Sequence, residues 1–202
     1  MNFTTDHHLI LASASPRRSG LLGTLGVPFD IIPSAEEEPE PSGFRRPLDY
    51  VIAAAEHKAR DVSKRFPGAV VIGADTIVVY EGEILRKPED AEQARANLQR
   101  LSGETHEVIT GVCILHGKKE IPFTVRTEVT FRELPPEWID SYVQTEDPYD
   151  KAGGYGIQSD AKIFIDSIHG DYFNVVGLPV GRLAYLLGSY GFIRMEGKGT
   201  IG

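Results

Sequence analysis

LILASASPRRSGLL, residues 9–22, is the stretch on which the reading of this chain turns. It opens on a short apolar run, crosses small residues and becomes a helix start. Ser15 stands where a cap belongs, Pro16 suits a first helical position that needs no amide hydrogen, and Leu21, Leu22 and Leu25 give an inward face. A strand feeding a helix in this way aims the first-turn amides past the strand's end, which makes an anion site, and Arg17 and Arg18 add planar, permanently charged donors there. The same letters also describe an ordinary helix beginning with two surface arginines. Both readings stand at this point.

Outward from that stretch, residues 1–8 read as a flexible lead-in and residues 27–33 as a short strand after a helix that ends near Gly26. SAEEEPEPSG, residues 34–43, is acidic and proline-rich, the composition of a solvated loop. Because it follows a strand directly, one or two of Glu36, Glu37 and Glu38 are able to turn inward and hold a divalent ion. Residues 47–66 predict a long helix with Val51, Ala54, Ala55, Ala59, Val62 and Phe66 as its buried stripe. Lys58 lies beside the stripe, either a surface lysine with its stem laid on apolar neighbours or a charge facing a ligand.

AVVIGADTIVVY, residues 69–80, carries the strongest strand signal, and its nearly continuous apolar first half suits a central strand covered on both faces. Gly73 and Ala74 read as an interruption that leaves Asp75 at the end of a strand beside residues too small to crowd a ligand, a usual place for a metal ligand or a base. The competing reading is an acid in a turn between two strands. Glu81 and Gly82 fit a tight hairpin, and Lys87, made extended by Pro88, sits in a structured link before a helix capped by Asp90 with Gln93. Residues 105–115 and 121–131 predict an antiparallel pair, with His106 at its start open to a phosphate or a structural role. Residues 136–143 predict a short helix using Trp138, Ile139 and Tyr142. DPYDKAGGYGIQ, residues 147–158, combines three glycines with Asp150, Lys151, Tyr155 and Gln158 and reads as a ligand loop or a glycine-rich structural turn. Residues 162–168 predict a strand, 169–173 a turn and 179–190 a closing helix; 195–202 read as a flexible tail.

The chain of 202 residues is enough for one compact domain, here residues 9–194, or for two small lobes sharing a cleft. A formal net charge of −8 argues against wrapping nucleic acid but leaves room for a small anion on a local basic patch. Cys113 is the only cysteine, so neither a disulfide framework nor a thiolate metal cluster is available, and a buried inert thiol is expected. No stretch approaches the ~20 apolar residues of a membrane span, and none has a signal-peptide core, so a cytoplasmic location without membrane association is the expectation.

The chemistry-bearing residues come from separate places: Ser13, Ser15, Arg17 and Arg18; the acids 36–38; Lys58; Asp75; Lys87; Gln158. Cations and helix amides neutralise a polyphosphate, and acids carry a magnesium or manganese ion. Hydrolysis of a phosphoanhydride calls on both, because charge moves to the leaving phosphate as the bond opens. Asp75 is able to orient and deprotonate the water. Serine-hydrolase chemistry has less support, since Ser13 and Ser15 lie in no nucleophile elbow.

Six blocks, SASPRR, GADTIVV, GEILRKP, LSGETHEVITGV, DPYDKAGGYGIQ and NVVGLP, stand in order between residues 13 and 179, and together they resemble the signature blocks of the Maf family of nucleoside triphosphate pyrophosphatases. The resemblance implies an α/β fold of the Maf/ITPase-like kind, a central mixed sheet flanked by helices in two lobes around a deep cleft. It implies hydrolysis between the α and β phosphates with a divalent cation, Mg2+ or Mn2+, and a possible homodimer. Asp75 then matches the proton acceptor, Arg18, Lys58 and Lys87 match basic residues around the triphosphate, and Glu38 matches the metal-holding acid of the second block, with Glu37 the alternative. The branch acting on dTTP and UTP carries residues that correspond to Arg17, Thr76 and Gln158, whereas the 7-methyl-GTP branch has a bulky aromatic in the first motif and no YGIQ. A glutamine amide pairs with the O4 and N3 edge of uracil or thymine. The alternatives are a pyrophosphatase for non-canonical purine or methylated guanosine triphosphates and a non-catalytic nucleotide-binding regulator of cell division.

Overall fold

Strands and helices alternate along the chain in the computed structural model, which describes residues 3–37 and 39–196. In order they are β1 (Phe3–Thr4), β2 (Leu9–Leu11), α1 (Pro16–Gly23), β3 (Asp30–Ile31), α2 (Pro47–Arg65), β4 (Val70–Tyr80), β5 (Glu83–Leu85), α3 (Ala91–Leu101), β6 (Thr105–His116), β7 (Lys119–Phe131), α4 (Pro136–Tyr142), β8 (Ile165–His169), α5 (Tyr172–Val176), α6 (Val180–Ser189) and β9 (Arg194–Met195). The main sheet has seven strands and runs β3-β2-β4-β6-β7-β8, with β5 also on β4. β2 is parallel to β3 and β4, and the other pairs are antiparallel, so the sheet is mixed and flanked by helices, as expected.

The register of β4 creates the site. On one edge β6 pairs with it continuously from Val71 to Val79. On the other edge β2 covers only Val70 to Ile72, and β5 covers only Val78 to Tyr80. Between them β4 has an open edge at residues 73–77, because the chain leaves β2 there to form the Ser13–Ser15 turn and α1. A sheet that splits in this way leaves a crevice beyond the parallel strand's carboxyl end.

Successive β4 side chains point to opposite faces. Val71, Ile77 and Val79 face α2, where Ala55, Ala59 and Val62 pack with Ile10 and Cys113, and Tyr50, Val51 and Ala54 pack with Ile109. Val70, Ile72 and Ala74 face α1 and α6 through Leu21, Leu22, Leu183 and Leu187. Val78 faces the layer formed by α3 and α4 with Leu98, Phe131 and Phe164. α2 lies unusually close to the sheet at two glycines. A Cβ on Gly73 would stand 2.2 Å from the Ala55 carbonyl oxygen, and one on Gly111 would stand 2.5 Å from that of Val51.

Several local expectations hold. Asp90 accepts from the Gln93 amide at 2.8 Å and the Gln93 side chain accepts from the Glu89 amide, a reciprocal cap on α3. Cys113 is buried, with its thiol pushed up to about 12 by desolvation.

Others are corrected. α1 ends at Gly23, before Gly26, and the 27–33 strand shrinks to β3. Of the expected 162–168 strand only residues 165–168 extend, continued by His169, because Asp160–Phe164 is a 3-10 turn that buries Ala161 and Phe164. The expected turn at 169–173 gives way to α5, which Asp171 caps through the Phe173 and Asn174 amides. Trp138 stays exposed on α4 while Ile139 and Tyr142 face inward. The lead-in is tied down: Phe3 and Thr4 pair with Met195 and Arg194, and the Thr5 hydroxyl donates to the Phe192 carbonyl at 2.6 Å. Residues 197–202 of the expected tail lie outside the described residues.

His106 sits in the core against Phe131 and Tyr155, its Nε2 2.6 Å from the Tyr155 hydroxyl, and not on the cleft. Burial lowers it to about 4. A histidine depressed in the fold takes up its proton more readily when unfolded, so its stabilising effect is complete above pH ~6.5 and is lost as pH falls toward 4. The loss is about 3 kcal/mol at the lower limit. Urea unfolding at pH 7.5 and pH 4.5 is expected to show a steeper acid loss for the native chain than for His106→Gln; equal losses would exclude the effect.

Candidate active site

A cleft of about 1190 Å³ opens at the split in the sheet, and it is lined by Ser13, Ser15, Arg17, Arg18, Lys58, Asp75, Thr76, Lys87 and Gln158. Residues far apart in the chain, each singled out from sequence, therefore share one cavity. Glu38 lies outside the described residues.

Asp75 stands in the middle of β4, not at its end. Gly73 and Ala74 do not break the strand; Gly73 lets α2 approach one face, Ala74 packs on the other, and the open edge exposes the backbone beside Asp75. Its cross-strand partner is Gly111, over which the α2 backbone at Val51 packs. Asp75 points toward α2, where Lys58 comes off the turn between Ala55 and Ala59, and Lys58 Nζ donates to Asp75 Oδ1 at 2.7 Å. Both side chains are close to nine-tenths withdrawn from solvent, so the pair is held in low dielectric and fixed in direction. Lys58 is thus a cleft residue and not a surface lysine.

Thr76 points to the opposite face, so the cleft wraps both sides of the open edge. Arg18 reaches it from α1: Nε donates to the Gly177 carbonyl at 2.9 Å, Nη1 to Ser13 Oγ at 3.2 Å and Nη2 to Thr76 Oγ1 at 3.0 Å. Ser15 occupies the cap position but makes no side-chain cap bond; its amide donates instead to Ser13 Oγ at 3.2 Å. The turn is therefore organised by Ser13, which is buried.

The glycine-rich segment forms the facing wall. Arg17 Nη1 meets Asp150 Oδ2 at 2.9 Å, Lys151 Nζ meets Asp150 Oδ1 at 2.6 Å and Asp147 Oδ1 at 2.9 Å, and Asp147 Oδ2 accepts from Tyr142 at 2.7 Å and Ser159 at 2.5 Å. Burial by itself would raise Asp147, but the bonds from Ser159, Tyr142 and Lys151 hold it below the usual carboxylate range. This wall is pinned at its base by Asp147, a role that nothing in the sequence signalled. Lys87 and Gln158 are exposed at the rim. Apolar side chains, Val78, Leu85, Val108 and Ile157 with the Tyr155 ring, line another part of the cleft.

The acidic loop departs from expectation in part. Glu36 lines the cleft mouth but is paired with Lys64 at 2.9 Å, Glu37 is exposed, and Ala35 is anchored to α2 through Asp61 at 2.8 Å. Among the described residues no three His, Cys, Asp or Glu side chains form a ready metal cage.

Residues 8–190 match the family described as Maf-like protein. The chain belongs to the Maf family. Among Maf relatives, a dTTP/UTP pyrophosphatase of Exiguobacterium sibiricum is 48% identical over 189 residues, 93% of this chain and 94% of its own length. Another of the same name from Bacillus cytotoxicus is 51% identical over 174 residues, 86% and 91% of the two chains. A crystal structure of a nucleoside-triphosphatase / dITP/XTP pyrophosphatase from Mycobacterium abscessus is 18% identical, covers 67% of this chain and 76% of that one, and superposes with a TM-score of 0.45, too loosely to bear on fold or activity. No helix among the described residues of this Maf chain is long and apolar enough to cross a membrane.

Proposed function

We propose that this cleft hydrolyses dTTP and UTP at the α–β phosphoanhydride, releasing the nucleoside monophosphate and pyrophosphate. The observation that carries the reading is the buried Asp75–Lys58 pair at the open edge of β4, facing a cleft whose other side carries Arg17, Arg18 and the start of α1. Two relatives about half identical over nearly the whole chain and named dTTP/UTP pyrophosphatase support the same substrates.

In this reading Arg18, Arg17 and Lys87 hold the triphosphate and spread the charge that gathers on the departing pyrophosphate. Lys58 fixes Asp75 so that one carboxylate oxygen stays directed into the cleft. Asp75 takes the proton of a water whose oxygen forms the new bond to the α-phosphorus, while the bond from that phosphorus to the bridging oxygen breaks and its electrons leave with pyrophosphate. The apolar lining and Gln158 receive a pyrimidine, the amide of Gln158 offering one donor and one acceptor to its O4 and N3 edge.

A hard divalent cation of the magnesium kind ordinarily binds through one or two carboxylates, waters and substrate phosphates and not in an all-protein cage, and the Asp75 carboxylate on the cleft suits that chemistry. Asp75, with Glu38, would hold it. When bound, such an ion polarises the phosphoryl oxygens and neutralises their charge.

The test is pyrophosphate release from a panel of dTTP, UTP, dITP, XTP, GTP and 7-methyl-GTP, each with and without magnesium. Turnover of dTTP and UTP at least ~100-fold above the purines, and lost without the metal, is expected. Preference for a purine, or tight nucleotide binding without product, would overturn the reading.

A further inference from the structure

Thr110 is buried, lies on β6 directly opposite Thr76 and shares its face of the sheet. The two hydroxyl oxygens are 3.0 Å apart. Thr110 also reaches the backbone carbonyl of Asn174, at 3.1 Å, and Thr76 Oγ1 receives Arg18 Nη2 at 3.0 Å. Asn174 is itself held in place: it is fully buried, with Nδ2 donating to the Val108 carbonyl at 3.0 Å and to Thr127 Oγ1 at 2.9 Å.

The protons in this chain have one arrangement that satisfies the short contacts. A threonine hydroxyl carries one hydrogen and two lone pairs. If Thr110 donates to Asn174, it must accept from Thr76, and Thr76 is then left with lone pairs for Arg18. The reverse arrangement would have Thr110 donate to Thr76 and Thr76 donate to the Gly177 carbonyl at 3.4 Å, abandoning the Asn174 contact for a longer one and adding to a carbonyl already receiving Arg18 Nε at 2.9 Å.

We propose that Thr110 is a positioning residue of the nucleotide site: by drawing the Thr76 proton inward, it fixes the Thr76 hydroxyl as an acceptor and so sets the plane of the Arg18 guanidinium against the triphosphate. The inference rests on the proposed hydrolysis of dTTP and UTP and adds to it. Thr110 lines no part of the cleft. It acts through Thr76 and Arg18, in the order Asn174, Thr110, Thr76, Arg18. The consequence for the ligand is that Thr76 faces the cleft as an acceptor, not as a donor.

The experiment measures KM and kcat for dTTP and UTP in the full chain with magnesium, for Thr110→Val, Thr110→Ser and Thr76→Val, and melting temperature in parallel. Thr110→Val keeps the shape but neither donates nor accepts, and the Asn174 carbonyl retains the Gly177 amide at 3.0 Å. Loosening one charge-assisted contact predicts a KM raised about tenfold for both nucleotides with kcat within about twofold. Thr110→Ser restores KM to within about twofold of the native value, because the hydroxyl returns. In the double variant Thr110→Val with Thr76→Val the KM rise is no larger than in Thr76→Val alone. Should Thr110→Val not fold, Thr76→Val is read in its place and must raise KM by the same factor. An unchanged KM, a loss confined to kcat or to the folded fraction, or a serine variant no better than valine would overturn the inference. If the native chain turns over neither nucleotide, the functional reading itself fails and this inference falls with it.

Discussion

Gly73→Ala is expected to unfold at markedly lower urea and to lose most of its activity, although the added group is one methyl and its strand position suits alanine. The methyl would point at α2, 2.2 Å from the Ala55 carbonyl oxygen and 2.8 Å from the Ala59 amide nitrogen. Both are backbone atoms in the interior of a 19-residue helix, so no side-chain rotation can make room and the helix must move away as a body. Overpacking of this kind costs about 3 kcal/mol or more. The helix that moves is the one that carries Lys58, one turn from the clash, and the 2.7 Å bond to Asp75 would open with it. Displacing a catalytic group by about 1 Å costs on the order of a hundredfold in rate. Urea unfolding and kcat/KM for dTTP check the two halves together. A variant with native midpoint and native rate would show that α2 is not seated on Gly73.

Much of this architecture was written locally in the sequence. The apolar run before Ser13, the stripe of α2 and the Asp90 with Gln93 cap each depend on neighbours within a turn or two, and each is found. The cleft residues were also legible, because their types, two arginines at a helix start, a lysine beside a stripe of alanines and an acid after small residues, suit phosphate chemistry wherever they meet. What was hidden depends on pairing across the sheet. Asp75 looked terminal because Gly73 and Ala74 resemble a break, and only the early end of β2 at Leu11 shows that the strand continues with one edge exposed. Thr110 and Asn174 carry no local signal at all; their roles come from the register that sets Thr110 opposite Thr76 and from the packing of α5 on β6. α5 itself was missed because residues 169–173 read as a turn and two adjacent valines are weak helix formers, although Asp171 was an available cap signal. The Asp147 hub could not be foreseen, since Tyr142 at the end of α4, Lys151 and Ser159 converge on it from three separate places in the chain.

Asp75→Asn is expected to cost the most activity of any single change while leaving the fold in place. The amide has the carboxylate's shape, and its oxygen can still accept from Lys58 Nζ, so α2 and β4 keep their contact. It cannot take a proton from water, and it is a poor ligand for a hard cation. Loss of a general base alone removes about a hundredfold to ten-thousandfold. In the proposed reading the triphosphate is held by other cleft residues, Arg17, Arg18 and Lys87, so nucleotide affinity should change far less than rate. Pyrophosphate release by Asp75→Asn at saturating dTTP and magnesium, with dTTP affinity measured by calorimetry on the same preparation, tests this directly. The account predicts kcat at least about a thousandfold below the native chain with affinity within about tenfold; a kcat within tenfold of native would contradict the assignment of Asp75 as the group that activates water.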